Sequence, residues 1–536
     1  MLTSCGRLLT IKGAPDVLIG RCSSYTDHDG TTQPLSDEII TSISRTKDTW
    51  SSQGKRVILL ARKVIRKSLL QSTPNDAAYE DEIRALSSSN LTLIGILGIV
   101  DPPRDEIPSV IETLRGAGIR IFMVTGDFAL TAQAIATEVG IITNRGSDVK
   151  TASALSRESS SASGSESMSF DKSDNQPRER QVSSIVVSGP EMMTFNEHQW
   201  NALASYDEIV FARTTPEQKL RIVREFQSRH EVVGMTGDGV NDAPSLKAAD
   251  IGIAIGSGSD IAIEAADMVL LESFESIVTA LVYGRSVFDN LKKTIAYLLP
   301  AGSFSEFWPV FMNVVFGLPQ ILSSFLMIVI CCFTDCAGAV VLAYEAPESD
   351  VLLRRPRRPG HDRLVNWQLM FQAYAIVGVL ESLCSFAMAF WYLERQGLPF
   401  SLFWFKYGSY PESIDVDFVN AHLAVASSIY FVNLVIMQWF NLLAVRTRRL
   451  SLLQHPPIGR RDSRNLLLFP AMAFGLVMIF FWCYIPVFHR VLATAPVPVE
   501  YFFLPAAFGC GILGLDEGRK WALRNYAGSF LQKFAW

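Results

Sequence analysis

The rhythm of apolar and polar positions changes near Lys292 and divides the chain in two. After that point, apolar segments long enough to cross a hydrocarbon core, about 20 residues each, recur six times. They lie near 295–316, 320–343, 368–393, 420–444, 465–487 and 498–514 and predict six transmembrane helices in three hairpins. Before it, the apolar runs are short and bounded by glycine, proline and polar clusters. Leu8–Ile11, Asn90–Val100, Ile119–Val124, Ser184–Ser188, Glu208–Ala212 and Glu231–Gly234 predict strands, followed by Asp250–Gly256 and Ala266–Leu271. Alternating with helical patterns, such runs predict an α/β region built on buried parallel strands. Ser147–Gln181 breaks the rhythm. It is serine-rich and mixed in charge, with Phe170 as its one aromatic, which predicts a disordered insertion at about 147–181.

Composition adds a bilayer. A hydrophobic fraction of 49% and a mean hydropathy of +0.22 point to an integral membrane protein in contact with lipid. The net charge of −5 carries no signal for nucleic acid. The eight cysteines form no Cys-x-x-Cys pair, and Cys331, Cys332, Cys336, Cys384 and Cys483 fall in apolar runs, as buried reduced thiols do. The opening residues lack the apolar core and cleavage site of a secretory leader. Basic clusters at Arg354–Arg358, Arg446–Arg449 with Arg460 and Arg461, and Arg519 with Lys520 follow the second, fourth and sixth spans. That asymmetry predicts cytoplasmic loops there and cytoplasmic chain ends. The acidic loop Tyr407–Phe418 is expected outside.

Candidate chemistry in the first half collects where strands end. Met235-Thr-Gly-Asp238-Gly-Val-Asn241-Asp242-Ala-Pro244 follows a predicted strand, the place where open α/β sheets bind ligands. The carboxylates of Asp238 and Asp242 are hard oxygen ligands suited to Mg2+, and Asn241 can donate to a phosphate oxygen. A solvated acidic turn is the bland alternative. At Thr125-Gly126-Asp127, a hydroxyl and backbone amides at a strand-to-helix turn make a phosphate cradle; a threonine N-cap explains the triplet equally well. Pro216 suits a helix start, which puts Lys219 in its first turn. There it either neutralises a transferring phosphoryl group or is an ordinary surface lysine. Lys12, beside Gly13 at a strand end, either reaches a nucleotide or is simply solvated.

In the second half, ionisable groups inside apolar spans are costly and mark function. Glu306 lies among Pro300, Gly302 and Pro309, which free carbonyls to bind cations. Thr334 and Asp335 lie in the second predicted span, and Glu381 is a weaker candidate in the third. The alternative is a polar pair that holds helices together.

The decamer Met235–Pro244 resembles the hinge motif of P-type cation-transporting ATPases, whose Gly-Asp-x-x-x-Asp skeleton haloacid-dehalogenase-type phosphatases share. Lys12-Gly-Ala-Pro15 and Gly54-Lys-Arg56-Val-Ile-Leu-Leu60 resemble that family's nucleotide domain. Thr125-Gly126-Asp127, then Lys219, then Asp238 to Asp242 stand in the order of its second, third and fourth phosphorylation-domain motifs. Asp289–Tyr297, Leu342–Glu345 with Glu348–Asp350, Gln438-Trp439 and Asp516 to Lys520 look like sodium/potassium-type (type IIC) pump α-subunits, in particular the fungal branch. The resemblance covers nearly the whole chain outside the Ser-rich insertion.

It implies ATP-driven transport of a monovalent cation through an aspartyl-phosphate, with Mg2+ as cofactor and ATP as substrate. Carried over by position, Lys12, Arg56 and Arg213 contact ATP, and Thr125, Gly126, Asp127, Lys219 and Asn241 hold the phosphoryl group. Asp238 and Asp242 serve Mg2+; Glu306, Cys331, Thr334 and Asp335 meet the transported cation. The implied domains are a partial nucleotide-binding domain at 1–95, a haloacid-dehalogenase-like phosphorylation domain at 96–290, a six-helix transmembrane domain at 291–518 and a cytoplasmic tail at 519–536. The implied location is the plasma membrane. Three positions depart from the family: Cys331 stands where it has an aspartate, Glu306 falls one residue late and Asn441 replaces another aspartate. The ion is therefore left open.

No Asp-Lys-Thr-Gly-Thr and no Thr-Gly-Glu-Ser occur in the sequence. The expectation is a carboxyl-terminal portion of a pump, inactive alone, whose partner is the missing amino-terminal half or a full-length pump. A non-catalytic membrane subunit that regulates such a pump is the alternative. A membrane-tethered phosphatase would need a nucleophilic Asp-x-Asp on a strand before its cap, and no predicted strand carries one.

Overall fold

Strands in the first half sort into two kinds of sheet. The computed structural model describes residues 2–3, 6–65, 78–144, 148–155, 182–358, 360–411, 414–461 and 463–526. The chain divides into two units, residues 1–278 and 279–536.

In the first unit, a six-stranded, mostly antiparallel sheet has the order β1-β2-β5-β6-β3-β4. Its strands are β1 (Leu2–Thr3), β2 (Gly6–Gly13), β3 (Cys22–Thr26), β4 (Thr32–Pro34), β5 (Arg56–Ile65) and β6 (Leu91–Ile99). Leu59, Ala61, Leu91 and Leu93 form its buried face with Leu18. β6 continues to Ile99, so this sheet runs past the boundary expected at residue 95.

The parallel strands β7 (Phe122–Val124), β8 (Lys150–Thr151), β9 (Ser184–Ser188) and β10 (Glu208–Ala212) form a second sheet in the order β7-β10-β9-β8. Along β10, Ile209 and Phe211 enter one apolar cluster while Val210 and Ala212 enter another. Both faces are covered, which explains the unbroken apolar run. A third parallel sheet joins β11 (Gly234–Gly237), β12 (Ile251–Ile255) and β13 (Met268–Leu270).

Two expectations need correction. The strand expected at Glu231–Gly234 begins three residues later, at Gly234–Gly237, and Val232 is exposed. The insertion expected from residue 147 is ordered in its described part: β8 pairs with β9, and Ala152 and Leu155 are buried in the adjoining core, because those apolar residues complete the sheet's face. The remainder of that insertion, 156–181, lies outside the described residues.

The second unit is helical. Its first segment runs from Ser276–Leu299 through a π-helical stretch, Pro300–Ser305, into Glu306–Phe316. The second covers Ser324–Ala343 and the third Trp367–Arg395. The fourth covers Val416–Val445, the fifth Leu468–Tyr484 and the sixth Glu500–Asn525. By length and apolarity the second, third and fourth can each cross a membrane; the fifth is apolar but has 17 residues. The fourth is the most enclosed, with 72% of its apolar window buried against 50% and 39% for the second and third.

Candidate functional site

Three stretches of the first unit meet at one end of its parallel strands. β7 gives way to Thr125, whose N–H donates to the Phe211 carbonyl at 2.9 Å and whose carbonyl accepts from the N–H and hydroxyl of Thr214, both at 3.0 Å. The Thr125 hydroxyl accepts from the Asp127 N–H at 3.2 Å. Arg213 donates its N–H to the Asp127 carbonyl at 2.9 Å. To do so it holds φ at +52°, a left-handed conformation unusual for a side chain that is not glycine. The 125–127 turn is thus locked to the turn after β10.

That second turn opens helix α1 (Pro216–Ser228). Thr215 caps it in a reciprocal box with Gln218, and Pro216 occupies the first helical position. Lys219 lies one turn in, and its Nζ reaches Asp242 Oδ1 at 2.7 Å. Asp242 ends the short 3-10 turn Val240–Asp242 that follows β11. It folds back over Gly237, where an added Cβ would lie 2.6 Å from the Asp242 Cβ, so only glycine fits.

Asp238 and Asn241 are exposed on the same turn. Among the described residues, no hydrogen bond or ion pair engages the Asp238 carboxylate. A free, exposed carboxylate beside one already paired with lysine is a donor set that fits a hard divalent cation such as Mg2+.

Two candidate nucleotide contacts come to this turn. Arg56, at the start of β5, places Nε 3.3 Å from Asp127 Oδ1 while its side chain stays 68% exposed. Arg213 extends 3.3 Å from Asp16 Oδ2 and lies 5.0 Å from the Phe128 ring centre. Asp16 and Phe128 escaped the sequence reading, although each directly follows a motif that was singled out. Lys12 is exposed on β2, paired across the sheet with Leu60. Among the described residues, no hydrogen bond or ion pair joins it to this cluster.

In the second unit, helix interruptions gather the candidate cation ligands. Cys331 Sγ lies 3.4 and 3.5 Å from the two Glu306 carboxylate oxygens and 3.5 Å from the Gly302 carbonyl. A Cβ on Gly302 would stand 3.5 Å from Cys331 Sγ and 3.7 Å from Asp335 Oδ2, which brings all four residues to one place. Asp335 is buried, and its Oδ2 has no partner among the described residues. Thr334 spends its hydroxyl on the Ile330 carbonyl at 3.1 Å. A small cavity reaches this pair and is lined also by Tyr297, Gly338 and Gln438. Pro309 lacks the N–H that would bond the Ser305 carbonyl; Tyr430 donates its hydroxyl there instead, at 2.9 Å.

Beyond the second segment lies an ion pair that sequence reading missed. Glu345 accepts from Arg446 Nη2 at 2.6 Å and Nε at 3.1 Å, and from Asn465 at 2.8 Å, with all of this buried. Burial pushes the Glu345 carboxyl up. Against that, His455 at 3.5 Å, the Arg446 hydrogen bonds and charge, and Asn465 hold it down at about 2. Nearby, Glu348 meets Lys293 at 3.1 Å and Arg354 at 3.3 Å. Some of the basic residues read as topology signals are therefore partners of buried acids.

Comparison with known proteins accords with these groupings. Residues 3–106 match the family described as P-type ATPase, cytoplasmic domain N, and residues 319–522 match cation transporting ATPase, C-terminus. The chain is 34% identical to the sodium/potassium-transporting ATPase subunit alpha-A of Artemia franciscana over 543 residues, covering 98% of this chain and 52% of that one. It is also 34% identical to the alpha-4 subunit of Rattus norvegicus and to the alpha-3 subunit of Homo sapiens, each over 547 residues and 98% of this chain, covering 50% and 51% of theirs. The chain spans about half the length of the curated relatives it matches. With both family matches and these relatives in agreement, it belongs to the P-type cation-transporting ATPases.

Proposed function

We propose that these residues serve an ATP-driven pump for a monovalent cation, with the first unit handling nucleotide and phosphate and the second conducting the ion. The observation that carries this reading is the meeting of Lys219 with Asp242 beside the Thr125–Asp127 turn. A lysine, a hydroxyl and a carboxylate unpaired among the described residues, at the ends of parallel strands, suit phosphoryl transfer and little else. The parallel strands β7, β10 and β9 and β11–β13 support a haloacid-dehalogenase-like phosphorylation domain, and the sheet β1–β6 supports a nucleotide-binding domain that ends near Ile99.

Asp238, with Asp242 behind it, would hold Mg2+, and when bound that ion neutralises phosphate charge. Lys219 adds positive charge at the start of α1 and, 2.7 Å from Asp242 Oδ1, holds that carboxylate in place. Thr125 and Asn241 donate to phosphate oxygens. The Thr125 carbonyl, pinned by Thr214, fixes the direction of the 125–127 turn. Arg56 and Arg213 border that turn and bind the nucleotide from the side of the β1–β6 sheet, with Lys12 farther along the same sheet. The six helical segments act as six spans of the plasma membrane, with cytoplasmic chain ends. Glu306, Cys331, Thr334 and Asp335 meet the cation. The aspartyl nucleophile is not among these 536 residues, which contain no Asp-Lys-Thr-Gly-Thr.

The test is binding of trinitrophenyl-ATP to the chain reconstituted in lipid nanodiscs. Saturable fluorescence displaced by ATP is expected, weakened ~10-fold or more by Arg56→Ala, which removes a charge-assisted contact. Fluorescence that ATP does not displace would overturn the nucleotide assignment.

A further inference from the structure

Three helical segments carry π-helical turns, and each turn leads into a carboxylate. Pro300–Ser305 precedes Glu306, Ile330–Thr334 precedes Asp335, and Phe371–Gly378 stands three residues before Glu381. Widened turns of this kind release backbone carbonyls and recur at functional sites. The three lie side by side: the first packs against both of the others. Ser382, next to Glu381, donates its hydroxyl to Ser305 at 3.1 Å, which ties the third segment to the residue before Glu306.

Glu381 is wholly buried, and among the described residues neither carboxylate oxygen has a hydrogen-bond partner. It lies within electrostatic reach of Asp335 and Tyr430. One turn on, Ser385 donates to the Glu381 carbonyl at 2.7 Å and accepts from Asn433 at 2.6 Å; the Asn433 Oδ1 is also buried without a partner. The contrast with Glu208 is instructive. That carboxylate is equally buried but is held by Arg115, Thr143 and Ser184. A buried carboxylate with nothing against it is costly as an anion, and as an acid it leaves its O–H unmatched.

We infer that Glu381 ligates a monovalent cation, giving the third segment a cation position beside the one at Glu306, Cys331 and Asp335. A single carboxylate balances a single positive charge. A divalent ion would call for more carboxylates than Glu381 alone supplies. This inference rests on the cation-transport reading and adds a residue to it.

The test is equilibrium binding of radioactive Rb+ and Na+ to the full chain in nanodiscs, for the unaltered protein and for Glu381→Gln, Glu381→Asp and Asp335→Asn. Glu381→Gln is expected to weaken or remove one component of binding, by ~10-fold or more. Glu381→Asp should retain part of it, and Asp335→Asn should leave that component in place. Infrared spectra give a second readout that does not depend on the variants: a protonated-carboxyl band should be lost as Rb+ or Na+ is added. Binding unchanged in Glu381→Gln, or a band indifferent to both ions, overturns the inference. If Asp335→Asn loses all binding while Glu381→Gln loses none, this inference falls and the cation reading stands. If the unaltered chain binds neither ion, both fall.

Discussion

The ammonium of Lys219 stands 2.7 Å from Oδ1 of Asp242, across a gap spanned by a whole helix and a strand. Both side chains are mostly buried, at 15% and 11% exposure. Removing the lysine strands a carboxylate that Gly237 has allowed to fold inward. Lys219→Met should therefore loosen the 216–242 region by about 1–3 kcal/mol. Adding Asp242→Asn should return part of that loss, because the two effects are coupled. Amide hydrogen exchange of peptides from that region is the measurement, since it reads local opening. Unchanged exchange in Lys219→Met would show that the contact stabilises nothing.

Glu345 and Arg446 make the most enclosed ion pair among the described residues, each side chain being 0% exposed. Glu345 is held at about 2 against an ordinary value of 4.5, so the folded state favours its ionised form. That contribution is fully present above about pH 4.5 and is lost as pH falls from there toward 2, amounting to about 3 kcal/mol. Thermal unfolding in detergent should show a matching loss of stability across that acid range. Arg446→Met should cost about 3–5 kcal/mol near neutral pH by leaving the acid unpaired. Adding Glu345→Gln should restore most of it. A single variant as stable as the unaltered chain would remove the pair from the account of stability.

What the sequence disclosed depended on how local the cause was. β9 and β10 were legible to the residue because both faces of each strand are buried, leaving unbroken apolar runs. β11 was misplaced because its four residues, Gly-Met-Thr-Gly, have little strand preference of their own; pairing with β12 makes them a strand. Of the candidate site, Thr125, Lys219 and Asp242 were legible as types at strand ends and helix starts, but their convergence was not, since it depends on tertiary placement. The partners of Glu345 lie about a hundred residues away, and no periodicity announces them. Glu381 was visible as an odd charge in an apolar run, whereas its lack of a partner among the described residues is a fact of packing.

Gly338 faces Tyr297 so closely that an added Cβ would overlap the phenol oxygen and ring. Tyr297 is buried and, like Gly338, lines the cavity at Thr334 and Asp335. Gly338→Ala should force the ring aside and destabilise the helical unit by about 1–3 kcal/mol. Adding Tyr297→Phe removes the closest overlap and should recover part of the loss. A melting temperature in detergent that is unmoved by Gly338→Ala would mean the helices separate freely at this point.

Binding and transfer should come apart in this chain. Arg56 meets Asp127, Arg213 meets Asp16 and Lys219 meets Asp242, contacts that support nucleotide binding by these residues themselves. Transfer needs an acceptor carboxylate as well, and the Asp-Lys-Thr-Gly-Thr that would provide it is absent from the sequence. Asp238 is exposed and, among the described residues, unpaired, but a carboxylate poised for Mg2+ is a poor nucleophile, because the metal would draw off the charge needed for attack. Incubation of the purified chain with γ-labelled ATP and Mg2+ should therefore yield no acid-stable, hydroxylamine-sensitive label, under conditions where ATP still displaces trinitrophenyl-ATP. Label that forms and is lost in Asp238→Asn would identify Asp238 as the acceptor and overturn its assignment to the metal. Label that survives that change would place a nucleophile elsewhere in the chain.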